Sequence, residues 1–206
     1  IGEGVNQVSE YIVKKEIVST FETLMGLEKV QDGLVFIEVD QPKAIEEQKV
    51  LVAIEAPTFH EEKKARRYAE YLIELGLEEV HLDRHGNVLG TLKGTGDGPT
   101  ILLEAHLDTV FALGTDVAPV EKDGKIFAPG ICDDTRGLAA NLSVVRAFKE
   151  TGIVPKGDII FAGTVGEEGL GGMWGMRALL EDHQEIKGTI SIDGAGCDSI
   201  LFEATG

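Results

Sequence analysis

From residue 100 onward the chain alternates short apolar runs with stretches of helical period, and that rhythm restricts its fold more than any other feature. Residues 100–105, 158–165 and 189–192 read as strands, and residues 135–151 and 172–182 between them read as helices. Strands that recur with a helix in each gap pack as one sheet with helices on its faces, so the chain is of the α/β class. Upstream, residues 80–83 and 87–93 read as two more strands joined at His85-Gly86-Asn87. The glycine-rich stretch 94–99 lacks both the order and the following helix of a phosphate loop and reads as a turn.

The N-terminal part is less regular. Residues 8–25 carry an amphipathic helical pattern that stops at Gly26, residues 34–39 read as a short strand, and residues 44–54 as a second helix. Thr58 and Glu61 have the spacing of a capping box for a helix over 60–75, which should bury Ala65, Tyr68, Ala69, Leu72 and Ile73. The expected organisation is an N-terminal helical extension over 1–40 and a catalytic domain over 41–206.

Composition narrows the classes of partner. With 206 residues, 43% apolar and 27% charged, the chain can bury a full core and is not expected to be disordered. Its formal charge of −17 disfavours nucleic acid and anionic membranes as partners. No apolar run reaches the roughly 20 residues of a spanning helix, and no basic-then-apolar leader is read. Two distant cysteines, Cys132 and Cys197, give no disulfide framework and suit a reducing compartment, so a cytoplasmic location is expected. The Asn141-Leu142-Ser143 sequon falls inside a helical stretch and reads as chance.

The chemistry lies where the apolar runs end. His106 follows Ile101-Leu102-Leu103, Glu167 and Glu168 follow Ile159-Ile160-Phe161, and Asp193 follows Ile190-Ser191-Ile192. Asp133 and Asp134 come just before the helix expected from residue 135. In an open α/β sheet the carboxyl ends of the strands share one crevice, so an imidazole and several carboxylates should meet there. That is a ligand set for zinc, cobalt or manganese, and two ions about 3.5 to 4 Å apart can share a bridging carboxylate. Asp108 is spaced to accept the second imidazole N–H and fix its tautomer. Neighbouring side chains on extended backbone point opposite ways, so Glu167 and Glu168 can divide metal binding and proton transfer; spacing does not say which does which.

Four motifs carry a resemblance: HLDTV at 106–110, GICDDTRG at 130–137, GTVGEEGLGG at 163–172 and SIDGAG at 191–196. Together with APTFHEEKKAR and DRHGNVLGTLKG, they resemble the co-catalytic zinc peptidases and amidohydrolases that include glutamate carboxypeptidase, aminoacylase, peptidase T and acetylornithine deacetylase. The resemblance implies a three-layer α/β/α fold with a mixed, mostly parallel sheet and two zinc ions. It implies that Asp133 bridges both ions, that His106 and Asp193 complete one ion's protein ligands, and that Glu168 binds the other. Glu167 would be the general base, acting on water that attacks an amide carbonyl. Substrates would be small peptides or N-acyl amino acids. Such proteins draw a further histidine ligand from far downstream, after an inserted lid and dimerisation domain with a substrate-binding histidine of its own. This chain ends at Gly206, about where the insertion would begin, so the second ion lacks one protein ligand and any homodimer would form through a region outside the chain. Thr135 and Ala105 replace a lysine and a glycine common in relatives, and neither change removes a ligand.

Other polar residues have plainer readings. His60, His81, His85 and His183 are expected at the surface, Cys132 as a small buried side chain, and Met173 and Trp174 as packing residues. Glu104 stands behind His106 on the same strand, either as support for the site or as the polar half of strand alternation. Two functions compete: a metal-dependent amide hydrolase, and a catalytically silent metal-binding domain acting as an interaction module.

Overall fold

The computed structural model describes residues 13–194. Helix α1 (Lys15–Met25) and the long helix α2 (Glu28–Val52) come first, followed by α3 (Glu62–Glu74) and the strands β1 (Glu78–Leu82), β2 (Val88–Leu92) and β3 (Thr100–His106). A small hairpin, β4 (Val120–Lys122) and β5 (Lys125–Phe127), precedes α4 (Thr135–Thr151), β6 (Ile159–Thr164), α5 (Trp174–Asp182) and β7 (Ile186–Ser191).

Five strands form one sheet in the order β1-β2-β6-β3-β7. β1 and β2 pair antiparallel, as do β2 and β6, whereas β3 lies parallel to both β6 and β7. The sheet is therefore mixed, with its parallel pairings confined to one side instead of dominating. Strand alternation sorts the core into two layers. Val88, Ala105 and Phe161 face α3 and α4, where they meet Ala65, Tyr68, Leu72, Leu138, Leu142 and Val145. Leu89, Leu102, Ile160 and Ala162 face the opposite side and meet Met176 and Leu179 of α5. This is the three-layer α/β/α arrangement, with α2 packed outside α4.

The N-terminal part departs from expectation at three places. Residues 34–39 are helical, not a strand: α2 runs unbroken through them and on past residue 40. The β-branched run has only a weak strand preference, and the packing of α2 against α4 overrides it. Buried Gly33, Asp40, Glu47 and Leu51 form the stripe that makes that contact. The expected capping box does not form, because the Thr58 hydroxyl donates to Asp108 Oδ2 at 2.8 Å and Glu61 Oε1 accepts from Phe59 N at 2.9 Å. Ile73, expected in the core, is 60% exposed. The amphipathic helix expected over 8–25 is described from Lys15, and residues 8–12 lie outside the described range. Its apolar residues Ile17, Phe21 and Leu24 are exposed. Among the described residues no helix is long and apolar enough to cross a membrane.

Candidate metal centre

β3 is the middle of the three parallel strands, and its last residue, His106, lies in register with Thr164 of β6. Beyond that pair, the Leu107 N–H donates to the Thr164 carbonyl at 2.7 Å, so the two strand ends leave the sheet together. Glu167 and Glu168 follow within four residues. On the other flank, Ile192 N donates to the Glu104 carbonyl at 2.9 Å, which delivers Asp193 to the same edge. Parallel pairing thus brings three distant segments to one place, as the strand-end pattern requires.

The His106 ring is 3% exposed, and its two nitrogens have different surroundings. Nδ1 lies 3.0 Å from the backbone carbonyl of Asp108 and 3.5 Å from that residue's Oδ1. The carbonyl, not the carboxylate expected from spacing, is the nearer acceptor, and it leaves Nε2 facing the acids. Nε2 lies 2.9 Å from Asp133 Oδ1 and 3.7 Å from Asp193 Oδ1. Ligand atoms of His106, Glu167 and Glu168 lie within 4.8 Å of one another. Asp134 comes equally close to His106 and Asp193. Both its oxygens, however, accept backbone N–H groups, from His106 at 2.9 Å and Gly137 at 3.1 Å. Asp134 is therefore a clamp that caps α4 and fixes the backbone of His106. Gly137 has to be glycine, since a Cβ there would collide with Asp134 and with the Ile192 carbonyl.

Asp108 is fully buried and grips the opposite strand end. Its Oδ1 accepts from Glu167 N and its Oδ2 from Glu168 N, both at 3.0 Å. From its spacing this residue is expected only beside the imidazole, and its grip on the two glutamate N–H groups is an additional role. Two further supports have no strand-end signal in the sequence: Glu61 Oε1 accepts from Gly166 N at 3.0 Å, and Asn87 Oδ1 accepts from Val165 N at 3.0 Å. Asn87 was visible only as a turn residue and Glu61 only as a helix cap; side chains that bind another segment's backbone leave no periodic signal. Glu104, 4% exposed, accepts from the Thr164 hydroxyl at 2.9 Å and so supports the strand behind His106.

The electrostatics follow from crowding. Burial opposes charge on His106, but the carboxylates of Asp108 and Asp193 outweigh it and raise the imidazole to about 11. Burial raises Glu167 and Glu168, and neighbouring acids, Asp193 for the first and Asp133 for the second, push the same way. Burial also pushes Asp134 up to about 8, despite the nearby His106. Asp193 is held low by its contact with the imidazole. Excess negative charge around one imidazole is a field that attracts cations, and the donor set, one nitrogen with several carboxylate oxygens, fits a divalent metal.

Residues 102–202 match the profile described as Peptidase family M20/M25/M40. Across that stretch the chain belongs to the family. An uncharacterized Bacillus subtilis protein, YqjE, is 34% identical over 152 residues, covering 68% of this chain and 40% of the relative. Carboxypeptidase G2 from Pseudomonas is 35% identical over 102 residues, covering 48% of this chain and 24% of that protein. The crystal structure of aminopeptidase PepT from Bacillus cereus superposes with a TM-score of 0.65 at 33% identity, covering 76% of this chain and 44% of that one. The chain thus spans about two fifths, or less, of the length of the curated relatives it matches.

The remaining expectations divide. His60 and His81 are exposed, as expected of surface residues, and His85 stacks edge-on against Trp174 with ring centroids 5.4 Å apart. Cys132 is exposed, not buried as expected, because it precedes the buried Asp134 on a turn that faces outward. Cys197 lies outside the described residues. A cavity of about 1070 Å³ opens beside the cluster and not over it: Phe59, Glu61 and Val165 line it, whereas His106, Asp133, Glu167, Glu168 and Asp193 do not.

Proposed function

We propose that the chain forms the catalytic portion of a zinc-dependent peptidase or amidohydrolase that cleaves amide bonds of small peptides or N-acyl amino acids. The observation that carries this reading is the gathering of acids on the Nε2 side of His106, while Nδ1 is occupied by a backbone carbonyl. His106, Asp133 and Asp193 would hold one ion; Asp133 would be shared with a second, which Glu168 also holds. Zinc suits this set, as do cobalt and manganese. When bound, the ions supply Lewis acidity, polarising an amide carbonyl and acidifying a water.

The chain's own residues do the rest. Asp108 grips the backbone of Glu167 and Glu168, so the acid that moves protons and the acid that holds metal keep a fixed spacing. Glu167, raised by burial and by its acidic neighbours, is suited to take a proton from the attacking water and return it to the leaving nitrogen. Similarity to an aminopeptidase and to a carboxypeptidase supports peptide substrates. A free Cys132 fits a reducing compartment, and we place the protein in the cytoplasm.

Metal content by mass spectrometry, together with turnover of di- and tripeptides and N-acyl amino acids, tests the reading. Glu167→Gln should retain its metal and lose activity by about 10²- to 10⁴-fold, the usual contribution of a positioned acid or base. Undiminished turnover in that variant would remove Glu167 from the mechanism. Metal bound without turnover of any substrate in the wild type would favour the silent binding domain.

A further inference from the structure

The cavity of about 1070 Å³ beside the ligand cluster opens on the same edge of the sheet. β1 ends at Leu82 and β2 begins at Val88, which lies opposite Gly163 near the close of β6, so the turn through His85 and Gly86 sits level with the strand ends that carry the acids. That turn, the segment between α2 and α3, and residues 113–119 enclose the space. Val165 lines it two residues before Glu167. Cavity and cluster are therefore neighbours along one crevice.

The walls suit an apolar guest. Ile54, Phe59, Leu82, Leu113, Val117 and Val165 line the cavity. The four carboxylates among its lining residues each have a partner within the protein: Glu55 accepts from Gly114 N at 3.1 Å, Glu61 from the N–H groups of Phe59 and Gly166, Asp116 from Ala118 N at 3.0 Å, and Glu62 from Arg66 Nη2 at 2.6 Å. His60 and Lys63 are exposed and can turn to water, and His85 is held edge-on against Trp174. A space of this size with apolar walls and few free polar groups is the usual form of a small-molecule site. Phe59 supplies a second, independent observation. Its φ is +72°, a costly conformation for a bulky residue, and it is 57% exposed, so packing within the fold gives little in return. A bond from His60 N to the Pro57 carbonyl at 2.8 Å and one from Phe59 N to Glu61 Oε1 hold it there. The same Glu61 oxygen accepts from Gly166 N, so one carboxylate fixes both the exposed ring and the segment that leads into Glu167.

We propose that this cavity is a specificity pocket: it takes a bulky apolar side chain, of the leucine or phenylalanine class, from the substrate residue next to the scissile amide, and Phe59 is a specificity-determining residue on its wall. This inference rests on the amide-hydrolase reading, and the test separates the two. Binding is measured on zinc-stripped protein, by NMR titration with the N-acetyl amides of glycine, lysine, leucine and phenylalanine. The ratio kcat/KM is then measured on zinc-loaded protein with dipeptides that carry the same side chains on either side of the amide. Leucine and phenylalanine should exceed glycine and lysine by about tenfold or more in both series, the discrimination an apolar pocket gives. Phe59→Gly, which relieves the backbone and removes the ring, should keep or raise the melting temperature yet lose most of that preference. Leu113→Asp, at an exposed position on the wall, should weaken it as well. Equal binding of all four amides, a preference for lysine, or a preference left intact by both variants would overturn the pocket. A preference seen in binding and absent from turnover would overturn its place beside the scissile amide, and one that survives Phe59→Gly would overturn the role of Phe59. If Phe59→Gly does not fold, Phe59→Asn, which also tolerates positive φ, is judged by the same criteria. Absence of turnover with every peptide would instead overturn the amide-hydrolase reading, while the binding series still decides the pocket.

Discussion

Asp134 has both oxygens committed to backbone N–H groups, one on the strand that ends in His106 and one in the first turn of α4. Replacing it with alanine removes a helix cap and leaves the buried His106 N–H unpaired. Chemical denaturation should show a loss of about 2 to 4 kcal/mol, the sum of a cap and an orphaned buried donor. A loss below about 0.5 kcal/mol would mean that Asp134 is not the clamp. Lys64 gives a pH dependence whose direction can be worked out. Burial draws its folded pKa down to about 8, below the ordinary lysine value of 10.5, so between those values the unfolded chain binds more protons than the folded one. This contribution to stability therefore rises with pH from about 8 to about 10.5, and is lost as pH falls through 8. In metal-free protein, the wild type should gain on Lys64→Met across that window; parallel stability curves would rule it out.

At the scale of elements, α2 is fastened to α4 by charge as much as by apolar contact. Arg146, 8% exposed, reaches both Asp40, with Nη2 to Oδ2 at 2.6 Å, and Glu47, with Nη1 to Oε2 at 2.9 Å. The Ser143 hydroxyl adds a bond to Asp40 Oδ2 at 2.7 Å. Removing the arginine alone strands two buried carboxylates, so Arg146→Met should destabilise the protein by about 3 to 5 kcal/mol. Changing all three charged residues to apolar ones of similar volume should recover most of that loss in the same denaturation assay. This clamp explains why residues 34–39 are helical despite their β-branched character. The hairpin of β4 and β5 was missed for a different reason. Its Asp123-Gly124 turn carries a strong hairpin signal, with both residues at positive φ, but its three-residue strands are too short to show alternation.

Across the whole molecule, the surplus of acids matters most where the sheet gathers them. If divalent ions bind there and not to the unfolded chain, they stabilise the fold by mass action, by about 2.7 kcal/mol when free ion reaches a hundred times its dissociation constant. Melting temperature should therefore rise with added zinc and fall back on addition of a chelator, whereas a concentration-independent melting temperature would count against specific binding. The strand ends were legible because a buried parallel strand must be apolar throughout, so a histidine or acid at its close stands out from the run before it. That contrast marked His106, Glu167, Glu168 and Asp193, all from one half of the chain. Neither Glu61 nor Asn87 had such a background, and both support the site through another segment's backbone.

By itself, the sequence determined the α/β class, the parallel strands and the acids and histidine at their ends, because apolar period and strand-end polarity are local properties. Only the tertiary structure decided which carboxylates face the imidazole and which hold the backbone. Asp133 and Asp134 are neighbours of the same type, yet one lies 2.9 Å from Nε2 of His106 while the other is turned inward to two N–H groups. The difference comes from the unsatisfied donors brought near by β3 and α4, which no pattern along the chain records.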